Sequence, residues 1–411
     1  FVNIEILYQN RARLLWKRIT EMKANGERID TLTICSTVNE KDNNKGLTKH
    51  YIVGCTSQAC AKGFTDYHAI KLYEKYLLRR VIISAQEVFD KAQGNDGDVY
   101  DKINEAHLLF GELLNSRPTK IQDINDIINE TLESIKNKTT KLVKTGYSNI
   151  DRFAGGLTRG EVTIIGGRPG HGKTTVLINL LAKALENGKR AIFFSRELPN
   201  AELFKKILCL ESGQLSYSVM RKNVFTDTDI KIINTTLKGI KKKYSSENFL
   251  MFDNIRNFSL SSSEVKKFKP DIIFDDYIQL IECKGYEDSR RLQIEKLVND
   301  YKWLAKETNA VVVLASQLNR GIERDSRGKS YNPQLSDLAE SGAIEQVAEN
   351  VFFSYYDYKI KGEAGKGKNV ISLHACKVRY GESGISDLGY DGDKCKIYNT
   401  EKEVLNDILP Y

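Results

Sequence analysis

A glycine-rich segment directly after an apolar run limits the possible folds of this chain more than any other feature. Residues 164–175 read IIGGRPGHGKTT, and Gly167, Gly172, Lys173 and Thr174 are spaced as in the Walker A pattern. Glycines let the backbone turn so tightly that successive amide groups converge on phosphate oxygens. The lysine ammonium suits the β- and γ-phosphates, and the threonine hydroxyl suits Mg²⁺. The segment therefore predicts a nucleoside triphosphate site with Mg²⁺ between a strand and a helix.

The composition indicates a globular protein of two or three domains. The chain has 411 residues, of which 41% are hydrophobic and 28% charged, and these are ordinary values for soluble proteins. The longest clean apolar run, residues 310–315, is too short for a bilayer, and no secretory leader opens the sequence. We therefore expect a cytoplasmic protein with no membrane partner. The sequence begins at Phe1 rather than Met, which favours a fragment or a processed product.

Charge and cysteine content allow fewer conclusions. The net charge of +8 permits a polyanionic partner but does not establish one. The seven cysteines are scattered, so we expect reduced thiols in a cytosolic setting. His50, Cys55 and Cys60 lie near one another in sequence, yet their spacing fits no common zinc pattern. We expect these three to be unrelated core and loop residues.

The first third of the chain predicts helices. Residues 1–116 carry apolar side chains at helical spacing and show no period-two strand pattern, which indicates an all-helical N-terminal domain. Residues 117–142 predict a linker helix with one apolar stripe, from Ile121 to Ile135, on an otherwise polar surface. The stripe must be buried, either against the same chain or on a neighbouring subunit. Sequence alone slightly favours the first alternative.

The remainder, residues 143–411, alternates apolar runs with helical patterns and predicts an α/β motor domain. The apolar runs lie at 161–166, 190–195, 249–252, 270–274, 310–315 and 350–355. The helical patterns lie at 174–187, 200–212, 227–244 and 287–308. Such alternation predicts a parallel-rich sheet with helices on both faces. Ligands bind at the carboxyl ends of the strands in such sheets, so polar residues there are candidates for chemistry.

Three of the predicted strands end in such residues. Glu197 follows the second run and can orient or deprotonate an attacking water. Asp275 and Asp276 follow the fourth run, where one aspartate is expected to bind Mg²⁺ directly or through water. Gln317 ends the fifth run and can sense the γ-phosphate or the water. Each has an ordinary alternative, because a surface glutamate, a chance Asp-Asp pair and a loop hydrogen bond are all common.

Lys377 and Arg379 form a further candidate site near the end of the chain. Both belong to the segment VISLHACKVRYG, and period-two geometry predicts that their side chains share one strand face. Two adjacent cations repel unless an anion lies between them, and a triphosphate would suit. We expect this strand to lie at the far end of the sheet from the phosphate loop, which favours delivery of both cations to a neighbour's nucleotide.

Taken together, these segments resemble the DnaB family of replicative helicases, which are hexameric RecA-like motors. The resemblance covers nearly the whole chain and implies that the N-terminal domain is truncated at its start. Its motifs are TGYSNIDRFAGGLTRGEVTIIGGRPGHGKTT, FFSRELP, FDDYIQL, SQLNR, QLSDLAESGAIEQVAENV and KVRYG. The implied nucleotide-binding residues are Gly167, Arg168, Pro169, Gly170, Gly172, Lys173, Thr174 and Thr175.

The resemblance also assigns roles to the strand-end residues. Glu197 would be the catalytic glutamate, Asp276 the metal-binding aspartate beside Thr174, and Gln317 the phosphate sensor. Arg379 would act as an arginine finger on the adjacent subunit, with Lys377 as its companion. The cofactors implied are ATP, or another nucleoside triphosphate, and Mg²⁺.

The implied assembly is a homohexameric ring that moves 5′→3′ along single-stranded DNA, with a separate primase and a helicase loader as partners. The candidate DNA contacts are Arg320, Arg324, Arg327, Lys329, Glu340 and Gly342. Ala339 stands where the family has an arginine, and Val347 stands where it has an acidic residue, which weakens the assignment of DNA contacts in that loop. Two other functions stay open, namely a RecA-like recombinase that forms filaments and a nucleotide-regulated scaffold that barely hydrolyses.

Overall fold

The structure, a computed structural model, describes most of the chain and divides it into two compact units, residues 1–131 and 132–411. The boundary falls within helix Ile124–Lys136. The three-part division expected from the sequence stays a prediction. The described residues are 4–57, 65–94, 98–115, 124–136, 142–282, 289–318, 333–338 and 342–408.

The described part of the first unit is helical, as its apolar spacing predicts. Its small core is formed by Met22, Ile34, Leu47 and Ile52. The short helices of this unit begin at polar caps, for example where the Asp30 carboxylate accepts the Thr33 amide at 2.8 Å. The helices are α1 Asn10–Ala24, α2 Thr31–Ser36, α3 Glu40–Asn44, α4 Lys49–Ser57, α5 Thr65–Gln93, α6 Val99–Asn115 and α7 Ile124–Lys136.

Helix α7 carries the apolar stripe expected of the linker, and the stripe stays exposed in the single chain. The exposed side chains are Ile124, Ile127, Ile128, Leu132 and Ile135. Burial of the stripe against the same chain, the slightly favoured alternative, is therefore not found among the described residues, which do not include Ile121. A helix with five exposed isoleucine or leucine side chains on one stripe has apolar area left for another surface.

The second unit alternates strands and helices. Its strands are β1 Leu142–Val143, β2 Leu157–Thr158, β3 Val162–Gly167, β4 Ala191–Ser195, β5 Phe249–Phe252, β6 Ile272–Asp276, β7 Val311–Gln317, β8 Asn350–Tyr355, β9 Val370–Val378, β10 Gly384–Asp391 and β11 Lys396–Tyr398. Its helices are α8 Ser148–Ala154, α9 Lys173–Glu186, α10 Asn200–Ser212, α11 Tyr217–Lys222, α12 Asp227–Ile240, α13 Phe258–Phe268, α14 Arg290–Thr308, α15 Gly342–Val347, α16 Tyr358–Lys361 and α17 Glu401–Ile408.

Among the described residues, nine strands form one sheet in the order β11-β10-β9-β8-β3-β7-β6-β4-β5. The six strands from β3 to β8 are mutually parallel, and β9, β10 and β11 add antiparallel pairs at one side. Every residue of β3, β4, β6 and β8 is buried, because helices cover both sheet faces. The parallel-rich α/β sheet is therefore as expected.

The apolar core lies in two layers, one on each face of this sheet. One layer packs Leu177 and Leu181 of α9 against Phe193. The other packs Leu297 and Tyr301 of α14 against strands of the same sheet. No helix in the described part of the chain is both long and apolar enough to cross a bilayer.

Candidate nucleotide site

The phosphate loop connects the end of β3 to the start of α9. Gly170 and Gly172 hold φ angles of +77° and +81°, which favour glycine because a Cβ atom is strained there. A Cβ on Gly172 would also lie 2.6 Å from the Ile371 Cδ1 atom. Helix α9 begins at Lys173, so free backbone amides and the helix dipole face the loop. This arrangement fits a phosphate group.

Lys173 lies buried inside the loop. Its ammonium donates hydrogen bonds to the carbonyls of Gly167 at 2.8 Å and Arg168 at 3.2 Å. Burial lowers the pKa of Lys173, and the nearby carboxylates of Asp276 and Glu197 oppose that effect. A nearby anion stabilises a buried ammonium. A phosphate bound in the loop would therefore form a strong ion pair with the buried Lys173.

The Thr174 hydroxyl donates a hydrogen bond of 2.6 Å to the Oδ2 atom of Asp276. Burial raises the pKa of Asp276 to about 6, and the charges of Glu197 and Asp275 also act to raise it. The second carboxylate oxygen, Oδ1, is buried and finds no hydrogen-bond partner among the described residues. Hydroxyl and carboxylate oxygens are the ligands that Mg²⁺ prefers. The unpartnered oxygen therefore fits a metal ion or a water bound to one.

Glu197 and Gln317 lie at the same carboxyl ends of the strands. Glu197 is exposed just past β4, and its charge acts on Lys173 and Asp276. Gln317 is the last residue of β7, and its side chain hydrogen-bonds to the hydroxyl of Tyr277. The structure thus brings together five predicted residues in what we call the phosphate edge. The members of the phosphate edge are Lys173, Thr174, Glu197, Asp276 and Gln317, with the loop glycines.

Gln279 belongs to this neighbourhood although its side chain was not singled out from the sequence. Its Nε2 atom donates to the Ser316 hydroxyl at 2.9 Å, and its Oε1 atom accepts the Gln317 amide at 3.2 Å. The segment FDDYIQL includes Gln279, but one-dimensional spacing does not show that it reaches the neighbouring strand. Gln279 fixes the backbone of Gln317.

Residues after β8 also reach the loop, and no sequence pattern pointed to them. The Tyr356 amide donates to the Nδ1 atom of His171 at 3.0 Å, and the Lys359 ammonium donates to the Pro169 carbonyl at 2.8 Å. Beside them, Tyr390 hydrogen-bonds to Thr175 and stacks edge-on against Tyr356 at 5.0 Å. These contacts brace the loop and place a second lysine and an aromatic face beside it.

Lys377 and Arg379 lie toward the amino ends of the parallel strands, on the side of the sheet opposite the phosphate loop. We call this side the cation edge. The Arg379 amide donates to the Glu349 carbonyl at 3.0 Å, and the Glu349 amide donates to the Val162 carbonyl at 3.0 Å. Val162 begins β3, and Gly167 ends it. Five residue steps at about 3.3 Å each put roughly 16 Å between the cation edge and the loop.

The prediction that the strand carrying Lys377 lies at the far end of the strand order from the phosphate loop is wrong. Strand β9 is separated from β3 only by β8. It runs antiparallel to β8, and this reversal carries its last residues away from the loop of the same chain. Arg379 forms a 3.2 Å ion pair with the buried Glu349 and stays 57% exposed, while the Lys377 ammonium donates to the Glu345 carbonyl.

Most candidate DNA contacts fall outside the described residues. These are Arg320, Arg324, Arg327, Lys329 and Glu340, and Ala339 lies outside as well. Gly342 is described and begins α15. Among the described residues, no group of three or more His, Cys, Asp and Glu side chains forms a metal-binding cluster. Cys60, one of the three residues weighed as a zinc site, lies outside the described part.

A family model described as the DnaB-like helicase C terminal domain matches residues 143–399. The chain belongs to this family. The replicative DNA helicase DnaC of Bacillus subtilis is 26% identical over 394 residues, which span 92% of this chain and 84% of that protein. The replicative DNA helicase DnaB of Mycoplasma pneumoniae is 33% identical over 248 residues, 57% of this chain and 50% of that protein.

Solved structures share the fold. An isolated ATPase domain superposes with a TM-score of 0.60 at 26% identity, covering 68% of this chain and 99% of that chain. A DnaB-like replicative helicase, solved in a study of its interactions with primase, superposes with a TM-score of 0.75 at 23% identity, covering 97% and 94%. The family, the RecA-like fold and the helicase function expected from the motifs are confirmed, and the recombinase alternative is not favoured.

Proposed function

We propose that this chain is the subunit of a ring-shaped replicative helicase that hydrolyses ATP to move along single-stranded DNA. One observation carries the proposal. The Thr174 hydroxyl meets the buried Asp276 carboxylate at 2.6 Å directly beside a glycine-rich loop, as phosphoryl transfer requires. The names of the relatives, which are replicative DNA helicases, support DNA as the substrate on which the motor acts.

The phosphate edge supplies the half-site that binds nucleotide. The loop amides and Lys173 bind the phosphates, Tyr356 and Tyr390 offer an aromatic face to the base, and Gln317 lies where it can contact the terminal phosphate. Glu197 orients and deprotonates the attacking water. Thr174 and Asp276 would hold Mg²⁺, which neutralises charge on the β- and γ-phosphates when bound.

The cation edge supplies the other half of the site, which would complete the nucleotide site of the next subunit. Arg379 is more than half exposed and lies away from its own loop, so it can act as an arginine finger on a neighbour, with Lys377 beside it. Six subunits in a ring would complete six such sites. The exposed stripe of α7 supports the same assembly, because a neighbouring subunit can bury it.

The proposed substrate is single-stranded DNA in the ring channel, with 5′→3′ movement. The proposed contacts are Arg320, Arg324, Arg327, Lys329, Glu340 and Gly342. Primase is a proposed partner, which the study of a related helicase with primase supports, and a loader is proposed as well. Because phosphate contacts release counterions, affinity for single strands should fall steeply with added salt.

The proposed function is tested by unwinding of a forked duplex with ATP and Mg²⁺, comparing the wild type with Lys173→Ala. The wild type should separate the strands, and Lys173→Ala should bind DNA without separating them. Electron microscopy with an ATP analogue provides the structural control, where closed rings are expected. Open filaments, or a wild-type protein that releases no phosphate in the presence of single-stranded DNA, would contradict the proposal.

A further inference from the structure

Behind the nucleotide site, Arg196 and Asp275 form a buried ion pair. The Arg196 Nε and Nη2 atoms lie 2.7 Å and 2.6 Å from the two carboxylate oxygens of Asp275, so both hydrogen bonds of the guanidinium fork are made. The side chains are 3% and 0% exposed. Each partner directly precedes a residue of the phosphate edge, because Arg196 is followed by Glu197 and Asp275 by Asp276.

The other polar atoms of this pair are also satisfied. The Arg196 Nη1 atom donates to the Ile255 carbonyl at 2.6 Å, and Nη2 donates to the Ser261 hydroxyl at 2.9 Å. The Tyr301 hydroxyl donates to Asp275. The guanidinium thereby connects β6 with the start of α13 and the middle of α14, and the whole network is fixed by hydrogen bonds.

Stability alone does not account for such a pair. Removing two charges from water costs about as much as their attraction returns, and apolar side chains of similar volume commonly give an equal or more stable protein. Among the ion pairs of the described residues, this one alone has both side chains almost wholly buried. The guanidinium fork fixes the direction and the distance between the ends of β4 and β6, and apolar side chains cannot do this.

The position of the pair gives that geometry a use. Backbone pairing between β4 and β6 reaches Ser195 opposite Asp276, and the Arg196 amide donates to the Asp276 carbonyl at 2.9 Å. Glu197 follows immediately, on a segment where strand pairing has ended. A side chain that is anchored across the two strand ends therefore limits where the next residue can place its carboxylate.

We infer that the Arg196–Asp275 pair is a positioning device that fixes the Glu197 carboxylate relative to Asp276 and the phosphate loop. The inference rests on the proposed function, in which Glu197 activates water. Both side chains are almost wholly buried, so the pair would act through Glu197 and Asp276. Its loss should slow the chemical step and leave nucleotide binding in place.

The test is an apolar replacement of the whole network, Arg196→Leu/Asp275→Val/Tyr301→Phe. Since no buried charge of the pair is left without its partner, we expect cooperative unfolding, a Tm close to wild type and ATP affinity within about twofold. We expect kcat for DNA-stimulated hydrolysis to fall by about tenfold to a hundredfold, because small misplacements of reacting groups have effects of this size. A kcat equal to that of the wild type would overturn the inference.

A matched control removes a similar network away from the site. Lys243 and Glu211 lie 2.6 Å apart, and the Tyr244 hydroxyl donates to the same carboxylate at 2.8 Å. Lys243→Met/Glu211→Leu/Tyr244→Phe should leave kcat unchanged. If both triple variants lose the same kcat, the effect is general and the inference fails.

A second variant covers the case in which the apolar replacement does not fold. Arg196→Lys keeps the positive charge and loses the fork, so kcat should still fall while KM stays near its original value. An unchanged kcat in Arg196→Lys would overturn the inference. A wild-type protein without hydrolysis would instead contradict the proposed function, so the two failures are distinguishable.

Discussion

The two edges of the sheet differ in what they do with their charged residues. At the phosphate edge, Lys173 and Asp276 are buried and directed at a site within the same chain. At the cation edge, the guanidinium of Arg379 pairs through its Nη1 atom with the buried Glu349, and the side chain remains more than half exposed. The phosphate edge is shaped to bind a phosphate, and the cation edge exposes a positive charge to solvent.

The difference teaches that, if both edges serve the proposed hydrolysis, one subunit cannot bring its own two edges together. Roughly 16 Å of strand β3 separates them within one chain. Hydrolysis by way of Arg379 therefore requires a second copy.

The largest effect is expected from Arg379→Ala, which removes the proposed finger at the cation edge. Arginine fingers contribute about 10³-fold or more to turnover, so DNA-stimulated kcat should fall by about that factor. Binding of a fluorescent ATP analogue should be nearly unchanged, because the phosphate edge is intact. Full hydrolysis by the variant would show that the cation edge has no part in the reaction.

Mixing two inactive variants sharpens the same comparison. Arg379→Ala subunits keep an intact phosphate edge, and Lys173→Ala subunits keep an intact cation edge. In randomly mixed rings roughly a quarter of the interfaces join two intact edges, so part of the activity should return. If the mixture stays as inactive as its components, the two edges do not meet between subunits.

Glu197→Gln should have the next largest effect, because it removes a general base and keeps the shape of the side chain. Proton transfer by a positioned group contributes about 10²–10⁴-fold, so kcat should fall at least about a hundredfold with little change in ATP affinity. Glu202→Gln is the control, since Glu202 lies in α10 and pairs with Lys205 at 2.8 Å. Equal losses in both variants would count against Glu197 as the base.

The pH dependence of Mg²⁺ binding should report on the phosphate edge alone. Burial raises the pKa of Asp276 to about 6, so the carboxyl is protonated below that pH and charged above it. Metal binding requires the charged form, so the Mg²⁺ concentration for half-maximal nucleotide binding should rise as pH falls through this pKa, by about tenfold per pH unit below it. Arg379→Ala should keep this dependence, and Asp276→Asn should reduce it to the dependence that the terminal phosphate of the nucleotide itself causes.

The smallest effect is expected from Lys359→Ala. The Lys359 ammonium donates to the Pro169 carbonyl of the loop and is exposed, so screening limits its contribution. We expect KM for ATP to rise by about twofold to fivefold with kcat unchanged. Lys361→Ala is the control, because Lys361 pairs with Asp357 at 3.0 Å. A change of equal size in both variants would show that Lys359 has no specific part in nucleotide binding.

The sequence predicts much of the fold because local patterns determine it. Buried parallel strands read as apolar runs, and the loop glycines and Lys173 are adjacent in sequence, so spacing alone places them. The antiparallel pair β10 and β11 was not expected, because exposed and buried positions alternate only partly there. Strand direction decides where Arg379 lies, and no local pattern records the direction of β9.

Contacts between distant segments were the harder part to predict. Gln279 and Lys359 reach the site from segments that lie far from the loop in sequence. One sequence does not show which distant segments contact each other in the fold. The pairing of Arg196 with Asp275 is of the same kind, since 79 residues separate the partners. The roles of the individual residues at both edges stay predictions until the variants above are measured.

The reversed direction of β9 also sets how active sites are counted in any assembly. In the proposed assembly each copy uses its phosphate edge toward one neighbour and its cation edge toward the other, so copies would associate head to tail. In an open row of such copies, the phosphate edge of one terminal copy would have no cation edge beside it. That site would be inactive. Only a closed ring would give every copy a complete catalytic centre, so a ring that opens to admit a DNA strand should lose the activity of one centre at the gap.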